Sequence, residues 1–242
     1  MNTPIKIVLP DAGPLITLAQ ADALDTLLVF DPNTVQLVIT DMVEFEVTRH
    51  RTAHEDAQRI ADFIQANAGR IVIEATSFGK MAIVAANTHE RYAQSQQVRD
   101  FYATNSMPAP APLAPNSGEL SINSYVTELI GQPPGPPCLV IAEDAFFLRS
   151  TPGALPGNAH IISTTVLLEK IEELDPRIKA REVLDAARRY AGRDPNPERV
   201  DMPAGKIQPE TSWREALNAD LLTSKLLKFG RSSRKGSQSE PK

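Results

Sequence analysis

One cysteine and one tryptophan are all that the 242 residues contain of either, and aromatic residues make up 5%. The lone thiol, Cys138, can close no internal disulfide and supply no thiolate cluster, which excludes a disulfide scaffold or zinc ribbon and fits a reducing compartment. Long apolar runs are missing too: none reaches the roughly 18 residues of a membrane span. The start, "MNTPIKIVLPD", lacks the charged head, apolar middle and small-residue cleavage site of a signal peptide. A cytoplasmic protein with no membrane partner is expected. The chain shows no Gly-rich phosphate cradle and no serine in a nucleophile elbow. Nor is there an excess of positive charge: Lys and Arg total 25 against 30 Asp and Glu, a net charge of -5. That balance argues against coating nucleic acid, but it leaves room for an enzyme that meets phosphate through metal ions.

What is present is an alternation of short apolar runs and helical patterns. With 42% hydrophobic and 23% charged residues, the composition is that of a folded globular chain. "IKIVL" reads as a strand, followed from Pro14 by a helix whose Leu15, Leu18, Ala19, Leu24, Leu27 and Leu28 share one face. "VQLVIT" is a second strand and gives way at Asp41 to a short helix; "EDAQRIADFIQANA" is a helix and "IVIEAT" a strand. From Gly79 to about Asn105 the chain reads as helical until "MPAPAPLAP" stops it. "SGELSINSYVTELI" is a helix, "CLVIAED" a buried strand, "HIIST" a last strand and "TVLLEKIEEL" a last core helix. Strands separated by helices imply an α/β fold with a parallel sheet covered on both faces. A domain over residues 1–175 and an extension over 176–242 are expected. The extension reads as a helix at 176–192, a Pro-rich connector, short helices and a basic tail of disordered composition.

Carboxylates fall at particular places on that frame. In an open parallel sheet, chemistry gathers at the carboxyl ends of strands and at the starts of the helices that follow. Asp11 closes the first strand, Glu46 lies one turn into the helix after the second, Glu119 begins the helix after the Pro-rich stretch, and Glu143 with Asp144 closes the strand that starts at Cys138. Each has a plainer reading. Asp11 can cap the next helix, Glu44 stands three residues after Asp41 as in a capping box, and Glu119 suits a helix dipole wherever it lies. The joint placement of the acids carries more than any one of them.

These residues resemble the PIN-domain nucleases. "IVLPDAGPLITLAQADALDTLL" looks like that family's opening strand, acid and Pro-Leu-Ile helix start. "VITDMVEFEV" is similar to its second motif, whose spacing falls on Glu46 and not on Glu44. "NSGELSINSYVTEL" resembles the Gly-Glu motif, with Glu119 as third acid, and "LVIAEDAFFL" the fourth, with Asp144 in the acid position. The resemblance covers roughly residues 5 to 174. Asn116 and Ser117 stand where many members carry another acid, and Ala142 where a hydroxyl residue is common. The resemblance implies a PIN-like three-layer α/β/α sandwich with a central, mainly parallel sheet.

It also implies a metal-dependent endoribonuclease that hydrolyses single-stranded RNA and leaves a 5′-phosphate, in the role of the toxin of a toxin–antitoxin pair. Expected partners are then RNA, an antitoxin or other protein, and a second copy of the chain. Carboxylates about 5 Å apart repel by roughly 3 kcal/mol per pair at an effective dielectric of about 20, so a cluster of them calls for a cation. Hard oxygen ligands point to Mg2+ or Mn2+. Asp11, Glu119 and Asp144 are the expected ligands, Glu46 a ligand or water-positioning acid, and Glu143 an additional candidate. Arg49 and Arg51 are candidates for substrate phosphate. His50 and His54, four apart, are a weaker metal pair than a solvated charged face. The alternative function is a catalytically weak PIN-like module that binds RNA or a protein partner.

Overall fold

The structure is a computed structural model that describes residues 5–130, 136–143, 147 and 159–190. Its centre is a five-stranded sheet built from β1 (Ile7–Pro10), β2 (Gln36–Thr40), β3 (Ile71–Glu74), β4 (Cys138–Ile141) and β5 (Ala159–Ile162). The strand order is β3-β2-β1-β4-β5, and every pairing in it is parallel. β1 and β4 are buried along their whole length, as expected of apolar strands covered on both faces. The chain moves outward from β1 through β2 to β3, then returns to place β4 on the other side of β1. The crevice between the ends of β1 and β4 is thus the point at which the winding reverses, where open α/β sheets bind ligands.

Helices flank this sheet: α1 (Ala12–Gln20), α2 (Asp41–Thr48), α3 (Glu55–Ala66), α4 (Ser77–Gln94), α5 (Gln96–Thr104), α6 (Ser117–Ser124), α7 (Thr164–Leu174) and α8 (Ala180–Tyr190). α3 buries Ala57, Ile60 and Phe63, three residues apart on one face. Ser163 caps α7 by accepting from the Val166 N–H.

Several boundaries differ from those read in the sequence. The apolar face from Leu15 to Leu28 is divided between α1 and a 3-10 helix at Leu24–Val29, with Asp22 between them at φ 55°. Arg70 then holds the end of that segment, donating to the Leu28 and Phe30 carbonyls at 2.8 and 2.9 Å. The expected long helix from Gly79 breaks at Ser95, which is extended and whose hydroxyl caps α5 through the Val98 N–H. α6 loosens into a π-helical turn over Tyr125–Ile130. The helix expected at 176–192 begins at Ala180 and packs on α1 and α7. Its Tyr190 hydroxyl bonds Glu55 at 3.2 Å and its ring lies under the Arg59 guanidinium. The remainder of the extension, from residue 191 on, lies outside the described residues.

A buried polar joint ties α2 to α4. The Thr76 hydroxyl donates to Asp41 Oδ1 at 3.0 Å and also accepts from the Gly79 N–H at 2.8 Å. Asp41 accepts from the Met42 N–H as well, so it anchors to α4 and does not act as the N-cap of a capping box; Thr40 is the N-cap of α2. A Cβ at Gly79 would fall 2.0 Å from Asp41 Oδ1. Gly79→Ala should therefore force this joint apart and lower stability by about 1–3 kcal/mol, read as a reduced urea midpoint at unchanged m-value.

Candidate functional site

Asp11 occupies the turn from β1 into α1, at the winding reversal. Its N–H donates to the Ile141 carbonyl at 2.9 Å, so the backbone that carries it is clamped to the end of β4. Pro10 is paired with Ile141 in the sheet register, which sets residue 11 level with Ala142. Asp11 is the N-cap residue of α1, yet its side chain makes no capping hydrogen bond. It is 2% exposed. The capping explanation for this acid is thereby removed.

Glu46 reaches the same crevice from α2, and α6 brings the backbone that meets it. Asn116, left-handed at φ 59°, turns the chain into α6, a conformation that asparagine tolerates better than most residues. The Ser121 hydroxyl lies 2.6 Å from that of Thr40 and also donates to the Gly118 carbonyl, fixing the first turn of α6 at the end of β2. A Cβ at Gly118 would fall 2.5 Å from Glu46 Oε2, 3.4 Å from Val43 and 3.5 Å from Asp11 Oδ1. Asp11 and Glu46 thus converge on one spot where the chain has no side chain. Glu119 follows directly, close enough for its charge to act on Glu46.

The electrostatics express this crowding. Burial, reinforced by the Glu119 charge, raises the Glu46 carboxyl from 4.5 to about 7, against the Gly118 backbone hydrogen bond and the Arg49 charge, which favour ionisation. Arg49, exposed and stacked over Phe45, is thus the guanidinium near the cluster. Arg51 instead offsets Glu44, whose carboxyl is raised by burial first and by Asp41 further. The two glutamates of α2 therefore belong to different neighbourhoods, Glu46 with Asp11 and Gly118, Glu44 with Asp41. His50 and His54 are both exposed in the turn between α2 and α3, and His54 is the N-cap of α3, so they do not share a helix. Burial pushes the Cys138 thiol up to about 12, far from a reactive thiolate.

Glu143 stands two residues past the end of β4. It is 6% exposed and accepts from the Thr17 hydroxyl at 2.9 Å, with its side chain laid against Gly13 of α1. Asp144, the fourth expected acid, lies outside the described residues.

The donor set suits a hard divalent cation: carboxylate oxygens, one carboxyl raised first by burial and then by a neighbouring charge, and a position at the sheet's winding reversal. Among the described residues, no group of three or more His, Cys, Asp or Glu side chains is already disposed to hold an ion. Asp11 and Glu46, with Glu119 beside them, are the residues that would hold it. No family model matches the chain, and neither the curated proteins nor the solved structures contain a significant match.

The raised Glu46 carboxyl has a thermodynamic consequence. The folded, metal-free protein keeps a proton that the unfolded chain releases, so this contribution to stability is complete below pH 4.5 and is lost as pH rises through about 7. The loss is on the order of 3 kcal/mol. Urea unfolding across that range should show the decline in the unaltered protein and a flatter profile in Glu46→Gln.

Proposed function

We propose that the chain is a PIN-like, Mg2+- or Mn2+-dependent endoribonuclease acting on single-stranded RNA. The observation that carries this reading is the approach of Asp11 and Glu46 to the bare Cα of Gly118, with Glu119 adjoining, at the reversal point of a parallel sheet. The fold supplies the α/β frame for that reading, with a parallel sheet and flanking helices. A bound divalent ion would supply a water of lowered pKa and would offset the negative charge of a phosphodiester.

The chain's own residues have separate tasks. Asp11, whose backbone is held by β4, presents a buried carboxylate to the crevice. Glu46, with a carboxyl near 7, exchanges a proton at physiological pH and is suited to position or deprotonate a water. Gly118 keeps the space between them open. Arg49 provides positive charge beside Glu46 for a substrate phosphate. Asp144 completes the acid set by its place in the sequence, directly after Glu143. A toxin's role, with an antitoxin as partner and a homodimer as the working form, belongs to the same proposal, as does a cytoplasmic location.

A second reading is a catalytically weak PIN-like module that binds RNA or a protein partner. It is favoured by the lack, among the described residues, of three assembled ligands. The two separate on one variant. With labelled single-stranded RNA and Mg2+ or Mn2+, the unaltered protein should cleave and chelator should stop it, while Asp11→Asn should be slowed at least about 100-fold, the scale of a lost transition-state charge contact. Cleavage no faster than that of Asp11→Asn on several RNAs, with RNA binding intact in both, supports the binding module.

A further inference from the structure

Glu143 has the burial and the charge of a metal ligand, but its contacts direct it elsewhere. Its Oε2 accepts the Thr17 hydroxyl at 2.9 Å, a bond that spans 126 residues of sequence. A Cβ at Gly13 would lie 3.2 Å from its Cβ and 3.4 Å from its Oε2, so the whole side chain runs along the first turns of α1. On the strand side, Asp11 N–H bonds the Ile141 carbonyl. The backbone bond at Asp11 and the side-chain bond from Glu143 to Thr17 both join the end of β4 to α1. Asp11 sits at the pivot between them, as N-cap of the helix that Glu143 grips.

We propose that Glu143 is a positioning residue that holds α1 against the end of β4 and so fixes the Asp11 carboxylate for the cation. This rests on the functional reading above as regards the cation. The bond itself needs an acceptor oxygen and not a charge. Glutamine keeps such an oxygen and nearly the same shape, whereas metal ligation of the kind expected from Asp11 needs the carboxylate. Glycine at position 13 leaves room for the grip, and threonine at 17 supplies its donor.

The test compares Glu143→Gln, Glu143→Ala, Thr17→Ser, Thr17→Val and the Glu143→Ala/Thr17→Val pair in the full chain, by Mn2+ affinity, RNA cleavage and thermal melting. The proposal expects Glu143→Gln and Thr17→Ser to bind Mn2+ within about threefold of the unaltered protein. Glu143→Ala and Thr17→Val should each bind at least about tenfold more weakly, with a lower kcat at similar KM, and the pair should be no worse than the poorer single variant. Should Glu143→Ala fail to fold, Thr17→Val against Thr17→Ser carries the comparison. Loss of Mn2+ affinity in Glu143→Gln equal to that in Asp11→Asn would make Glu143 a ligand and overturn the proposal, as would unchanged affinity in Thr17→Val or no Mn2+ binding by the unaltered protein. Mn2+ binding in the expected order without any RNA cleavage would instead reject the nuclease reading and leave the positioning role standing.

Discussion

The structure around the crevice depends on a missing side chain. Glu46 Oε2 comes within 2.5 Å of where a Cβ at residue 118 would stand, and Asp11 Oδ1 within 3.5 Å of the same point. A side chain at 118 would require the Glu46 carboxylate to move aside. Burial first, and the Glu119 charge second, push the Glu46 carboxyl up to about 7. Crowding of this sort opposes folding unless a cation or a proton relieves it. A carboxylate cluster kept despite that cost is more informative than any one acid within it.

Each acid is delivered by a different connection, and each connection is tied separately. β1 and β4 run parallel through the buried centre of the sheet and deliver Asp11 and Glu143 to the two sides of the crevice. The bond between the Thr40 and Ser121 hydroxyls holds α6 at the end of β2, and the Asp41–Thr76 bond holds α2 to the start of α4. These polar links lie in buried surroundings, where a satisfied hydrogen bond gives a unique geometry and a broken one is costly. The fold thus spends several buried polar groups on setting the position of α2 and α6 relative to β1.

Much of this frame is legible in the sequence, because parallel strands and amphipathic helices announce themselves by apolar runs and period. The five strands appear where "IKIVL", "VQLVIT", "IVIEAT", "CLVIAED" and "HIIST" place them, each within a few residues. Spacing alone leaves Glu44 and Glu46 of α2 undivided, and the resemblance to the PIN-domain second motif is what singles out Glu46. Breaks within helical stretches are not legible in that way: Ser95 and Asp22 interrupt patterns whose apolar period continues through them. Nor is a grip such as Glu143 on Thr17, since nothing local in either segment marks a partner 126 residues away. What Gly13 and Gly118 make room for emerges only once the packed neighbours are known. α8 shows the same limit, since its two buried alanines, Ala180 and Ala187, give little hint in sequence that it returns to α1.

The most direct measurement of the central claim is the proton released when a divalent ion binds. Calorimetric titration of Mn2+ near neutral pH, in buffers of differing ionisation enthalpy, counts those protons. The account predicts saturable binding that displaces the Glu46 proton, with the release abolished in Glu46→Gln. Binding with the same proton release in Glu46→Gln, or no binding at all, would contradict it.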